Sequence, residues 1–244
     1  MTRDSPLVAL SESAILSAWE QGTGAAAVER PLILLRHAGR VVSLDGAASW
    51  TVGQRDASLI DLCELTFGPV ASGTAPCPSC RAPVEISFPL AAIRTDHGDA
   101  GSRMELVLDD GRRICFRLPT TADLRQASEC RSAEDGARML AAGCLLEGRS
   151  ADDAPLADSV VDALGSAMAE HDPQSDVSLE ARCPACEAEL TVNFDVADYV
   201  WRRVAMAGRG LMIDVHQLAL AYGWSEAEIL AIPAGRRHRY LELV

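Results

Sequence analysis

The sequence predicts an α+β fold: two related units, each a helix plus a Cys-knuckle β-hairpin, around one shared zinc site, with a helical C-terminal segment. Three observations predict it. The pattern Cys-Pro-x-Cys occurs twice, at Cys77–Cys80 and Cys183–Cys186. Each copy is followed by a short alternating run, Val84–Phe88 and Leu190–Phe194, as a strand requires. Each is preceded, across a short linker, by a stretch with helical spacing of apolar residues.

In chain order, Val8–Glu20 reads as a first helix, with Leu10, Ile15, Leu16 and Trp19 near helical spacing and Gln21–Gly24 ending it. Pro31–Leu35 is an apolar run too short to assign. Gln54–Phe67 reads as a helix with Leu59, Leu62, Cys63 and Thr66 on one side, and Gly68-Pro69 stops it. The small residues Ala71–Thr74 read as a linker into Cys77. Met104–Leu108 and Ile114–Leu118 flank Asp109-Asp110-Gly111 as a second hairpin. Thr120 or Thr121 caps a helix starting near Ala122, and Glu134–Glu147 reads as another. Residues 148–154 are a polar connector. Pro155–Ala169 is helical by pattern, and His171-Asp172-Pro173 stops it. From Asp195 onward the chain is mostly helical. Gly223 interrupts it, Ser225 with Glu228 restarts it, and Pro233 opens a last helix to Val244. Four segments follow: 1–50, an N-terminal helix and loop; 51–147, the first unit with the second hairpin; 155–198, the second unit; and 199–244, the tail.

A shift of 106 residues lays Cys77 on Cys183. Both Cys, the Pro, Ala82 with Ala188 and Phe88 with Phe194 then coincide. Val84 faces Leu190 and Ile86 faces Val192. The shared order of helix, linker and hairpin makes duplication the better reading. Two pairs supply four thiolates, the complement of a structural zinc site, so Cys77, Cys80, Cys183 and Cys186 are the candidate ligands. Unligated thiols in bare turns are the other reading. Two features are unlike a simple zinc ribbon: about a hundred residues separate the pairs, and Arg81 and Glu187 stand where glycine often completes a knuckle. A redox role is weaker, because no β-α-β pattern surrounds either pair. Cys63, Cys115, Cys130 and Cys144 fall in helix or strand patterns and read as small core residues.

The net charge of −13 argues against a phosphate backbone as partner. All 22 cationic residues are Arg. The one basic cluster, Arg236-Arg237-His238-Arg239, sits at a helix end, where cations are expected. No run reaches the length of a membrane span and the start of the chain is polar. A cytoplasmic protein with neither nucleic acid nor membrane as partner is expected. No phosphate loop, nucleophile elbow or paired-His zinc motif is present. A site closed by four thiolates leaves no position for substrate, so a non-enzymatic role is expected.

Val52-Gly53-Gln54-Arg55-Asp56 opens the helix that ends at Phe67, and a cysteine hairpin follows. Phe116-Arg117-Leu118-Pro119-Thr120 leads to Asp123-Leu124. After the second hairpin, Val215-His216-Gln217-Leu218-Ala219 runs to Tyr222-Gly223-Trp224-Ser225-Glu226-Ala227-Glu228-Ile229-Leu230. Over residues 50–244 this pattern resembles the baseplate hub assembly chaperones of T-even-type contractile phages and their relatives in phage-like contractile injection clusters. The phage members do not require the cysteine hairpins, so the resemblance does not carry the metal. It implies a non-enzymatic helper that binds baseplate hub or wedge proteins. The candidate partner-binding residues are His216, Tyr222, Trp224 and Ile229, on a tail with an apolar face to offer. In the other reading, Trp224 and Ile229 only pack the tail onto the domain. The rival functions are a structural baseplate component retained in the particle, a zinc-ribbon protein–protein adaptor of another assembly, and a redox protein.

Overall fold

The computed structural model describes residues 6–99, 101, 103–147 and 156–244. Helix α1 (Glu12–Thr23) starts where the Ser11 hydroxyl accepts the Ala14 N–H at 3.2 Å, four residues later than expected. The unassigned run Pro31–Leu35 lies in helix α2 (Arg30–His37). Leu32, Ile33, Leu34 and Leu35 are each no more than 2% exposed, so the helix is buried on every side. An all-round apolar helix shows no period, which is why the pattern was silent there.

A short α3 (Leu44–Ala48) leads to α4 (Val52–Phe67), the helix of the first unit. Thr51 and Gln54 form a reciprocal capping box that moves its start two residues ahead of Gln54. Strands β1 (Val70–Pro76) and β2 (Pro83–Pro89) pair antiparallel over their whole lengths. The linker expected at Ala71–Thr74 is therefore a strand. Its residues are too small to show alternation, and pairing with β2 fixes their conformation.

Strands β3 (Met104–Val107) and β4 (Arg113–Phe116) form the expected second hairpin, with Gly111 at φ 83° in its turn. Thr120 caps α5 (Thr121–Ala127). Helix α6 (Ala133–Cys144) ends three residues short of its expected limit, because β5 (Leu145–Glu147) joins β4 as a third strand. The expected connector 148–154, and Pro155 at the start of the next helix, lie outside the described residues. Helix α7 (Asp158–His171) precedes β6 (Ser178–Arg182) and β7 (Glu189–Asn193), the second cysteine hairpin. Here too the lead-in to Cys183 is a strand.

Asp195 caps α8 (Val196–Tyr222), a helix of 27 residues, and Gly223 closes it at φ 71°. The expected Ser225–Glu228 box opens α9 (Glu226–Ala231), and Pro233 precedes α10 (Ala234–Leu241). No described helix is long and apolar enough to cross a membrane.

The two larger hydrophobic cores among the described residues cut across the four sequence segments. Helices α1, α2, α4 and α8 bury Leu16, Leu32, Leu59 and Val204 in one. Strands β3 and β4 with α6 and α7 bury Ile114, Phe116, Cys144 and Leu164 in the other. Asp172, at the end of α7, joins them. Its buried carboxylate accepts the Gly53 N–H at 2.9 Å and the Gly98 N–H at 3.2 Å. It thereby satisfies a free donor at the α4 N-terminus, where the helix dipole favours an anion. A Cβ on Gly53 would lie 1.8 Å from the Asp172 Oδ1, so only glycine lets the carboxylate this close. Burial raises the Asp172 carboxyl above its ordinary range, and the two N–H groups restrain the rise.

Candidate metal centre

The two hairpin tips have the same backbone. The Cys77 N–H donates to the Ala82 carbonyl and the Arg81 N–H to the Cys77 carbonyl, each at 2.9 Å. The Cys183 N–H donates to Ala188 and the Glu187 N–H to Cys183, also at 2.9 Å. Arg81 and Glu187, the residues that replace glycine, take the left-handed conformation regardless, at φ 61° and 60°. A side chain in that region costs about 1–2 kcal/mol. Both tips bear this strain, and no other described non-glycine residue has a positive φ.

The tips meet about a pseudo-twofold axis. Residues equivalent under the 106-residue shift lie against each other along it: Val84, Ile86, Leu190 and Val192 share one cluster. The Phe88 and Phe194 rings pack edge to face at 5.2 Å. The shift also carries the first residue of α4, Val52, onto Asp158, the first of α7. The sulfurs pair crosswise, as a twofold requires. Cys77 Sγ lies 3.6 Å from Cys186 Sγ, and Cys80 Sγ lies 3.7 Å from Cys183 Sγ.

All four sulfur atoms lie within 4.8 Å of one another. Thiolates about 2.3 Å from a central tetrahedral ion would be about 3.8 Å apart, close to both crosswise distances. A disulfide would need about 2.05 Å. The donor set therefore fits a soft divalent cation, and these four residues could hold one. Cys77 and Cys183 are each 1% exposed, while Cys80 and Cys186 face solvent, so the centre sits in a shallow surface position.

The thiols are unequal. N–H groups of Cys80 and Ser79 hold Cys77 down at about 6, against the pull of burial. The Ala188 N–H lowers Cys186, but its own hydrogen bonds to the sulfurs of Cys80, Cys77 and Cys183, together with burial, push it up to about 12. One thiol ionises readily and its neighbour at 3.6 Å resists a second negative charge.

Of the other cysteines, Cys63, Cys115 and Cys144 are buried as expected. Burial pushes Cys144 up to about 12 despite the nearby Arg117. Cys130 departs from expectation. It lies in the turn between α5 and α6, half-exposed, with its sulfur 3.7 Å from that of Met139.

The four partner-binding candidates separate. His216 is exposed on α8. Tyr222 and Trp224 stack at 4.5 Å, and the Tyr240 ring meets both edge-on. Ile229 is fully buried, which corrects its placement on a contact surface: α9 folds back on α8 and encloses it. The basic run lies at a helix end as expected, with His238 and Arg239 in the last turn of α10, but Arg237 is 3% exposed. It forks onto Glu12 of α1 at 2.6 and 2.5 Å and approaches Asp214 of α8 at 3.4 Å. Arg237 alone of the run acts as a bolt that fastens the last helix to the first.

Sequence reasoning missed a groove of about 530 Å³ between the cysteine hairpins and α8. Extending the repeat alignment upstream of Cys77 would have pointed to it, because Gly73 then faces Leu179. No family model, no curated protein and no solved structure matches the chain.

Proposed function

We propose that the protein is a non-enzymatic chaperone or adaptor for assembly of the baseplate hub of a contractile phage tail or phage-like injection system. Its scaffold is stapled by one zinc ion on Cys77, Cys80, Cys183 and Cys186. The observation that carries the scaffold reading is the crosswise meeting of four sulfurs at tetrahedral spacing. Four thiolates fill a tetrahedral ion's coordination, so its contribution is to stability rather than to substrate. The hub and wedge proteins enter as partners on the resemblance of the chain's motifs. Exposed apolar residues on α8, Met206, Ile213 and Leu220 among them, support a binding role for the helical face.

Elemental analysis of protein purified without added zinc should find about one zinc per chain. Two ions, or none, would remove the shared site. Cys80→Ser or Cys186→Ser should lower the thermal midpoint, since structural metal binding is coupled to folding. Mass spectrometry of purified particles tests the assembly role. A chaperone is absent or far below stoichiometry, whereas a stoichiometric amount would assign the protein to the particle itself. Failure to bind any hub or wedge protein on co-expression would refute the baseplate role and leave the metal staple standing.

A further inference from the structure

Strand β1 pairs with β2 alone in its sheet, and its outer edge borders the groove. In β1, Gly73 pairs with Ile86 and Ala71 with Phe88, so these positions share one sheet face; Ala71 is buried in the core, while Gly73, Ile86 and Phe88 line the groove. The Cys77 N–H bonds Ala82 and the Leu90 N–H bonds Pro69. With that register, residues 71, 73 and 75 turn their backbone groups to β2, while those of Ser72 and Thr74 point away from it. The Ser72 N–H reaches the Tyr199 hydroxyl at 3.2 Å. Thr74 presents its N–H and C=O along the groove, and Pro76, with no N–H, ends the edge.

Gly73 is the second, independent observation. Its φ is not positive and a Cβ added there would meet nothing within 4 Å. Neither conformation nor internal packing calls for glycine, although glycine weakens a strand interior. The repeat places Leu179 at the equivalent position, where it packs on the main core. The unbroken β1–β2 register leaves no bulge at Gly73, and a strand glycine often marks a place where a ligand or another backbone approaches closely. Around it, Ile86, Phe88, Val192, Phe194 and Met206 make an apolar lining, and Met206 is 68% exposed. Helix α8, carrying Tyr199 and Met206, forms the far wall.

We propose that this groove binds an extended segment of a partner protein by strand addition to β1. The segment's backbone pairs with Thr74, and one large apolar side chain of the segment sits over Gly73. Main-chain bonds supply affinity and the side-chain seat supplies selectivity. This inference goes beyond the assembly reading and does not rest on it.

The probe is a set of synthetic peptides selected on the full-length protein from a random twelve-residue display library. Selected peptides should carry an aromatic or large aliphatic residue at one fixed position. Gly73→Leu should weaken them about tenfold or more, while its thermal midpoint and metal content match the wild type. N-methylation of the peptide at the residue facing Thr74 should cost a similar factor. Saturating peptide should slow hydrogen exchange at the Thr74 amide about tenfold. Failure to select any peptide, equal binding to Gly73→Leu, or unchanged exchange at Thr74 would each overturn the proposal. A dimer in sedimentation that Gly73→Leu dissociates would make a second copy the occupant, and would equally overturn it.

Discussion

Replacing Arg81 and Glu187 by glycine should stabilise the protein, which is unusual for changes next to candidate metal ligands. Both residues hold a left-handed backbone, at φ 61° and 60°. For a residue with a Cβ that conformation costs about 1–2 kcal/mol. Glycine removes the cost but adds freedom to the unfolded chain worth about 0.5–1 kcal/mol. The net gain is about 0.5–1 kcal/mol per site and about 1–2 kcal/mol for Arg81→Gly with Glu187→Gly. For a chain of this size that raises the thermal midpoint by about 2–8 °C. Arg81→Ala keeps the strain and removes the guanidinium, and should change stability by no more than about 0.5 kcal/mol. Thermal and urea unfolding at matched metal content read these differences. The shared backbone of the two tips predicts a gain of the same sign from each glycine variant. If neither gains stability while metal content is unchanged, or if Arg81→Ala gains as much as Arg81→Gly, backbone strain at the tips is refuted.

Other perturbations test the frame around the site. Gly53→Ala drives a Cβ toward the Asp172 carboxylate and should cost about 2–4 kcal/mol by urea unfolding, through a lost helix-end hydrogen bond and local overpacking. Asp123 lies in a fork from Arg117 at 2.6 and 2.8 Å; burial works to raise its carboxyl, but Arg117 and Thr120 hold it below the ordinary range. Asp123→Asn should therefore cost about 2 kcal/mol above pH 4–5, and the gap from wild type should close as pH falls through the depressed folded-state value. Arg237→Ala should cost about 2–3 kcal/mol, because it unpairs Glu12 and frees α10. Amide exchange should then rise in α10 and around Trp224 before it rises in α4.

Much of this architecture was legible because its signals are local. The repeated Cys-Pro-x-Cys, the alternation at Val84–Phe88 and Leu190–Phe194, and the Ser225–Glu228 box each report on a few neighbouring residues. Other features depend on the tertiary environment. Helix α2 is enclosed, so its sequence carries no period. Strand β1 is built of small residues whose conformation comes from pairing with β2. Strand β5 looks like the end of α6 until β4 offers an edge. The polar fastenings were hidden for a related reason. Asp172 looked like a helix stop, and its second task depends on Gly53, 119 residues away. Arg237 looked like one more tail cation, and its partner Glu12 is 225 residues away. The cysteine pairs escaped this limit because the sequence carries the same local signal twice.

The length of chain between the two cysteine pairs has a kinetic consequence. The sulfurs that face each other are 109 and 103 residues apart in sequence. Closing such a loop costs about 2 kcal/mol more chain entropy than closing the ~15-residue loop of a compact ribbon. In a ribbon, an ion can nucleate the domain around itself. The loop length predicts that here the second pair reaches the first only after most of the intervening chain has folded, so that an ion bound there would act as a latch set after the rate-limiting step. Interactions made that late govern escape from the native state rather than arrival in it. Chelation should accordingly steepen unfolding while leaving the refolding rate nearly unchanged, and the two limbs of a chevron plot separate those effects.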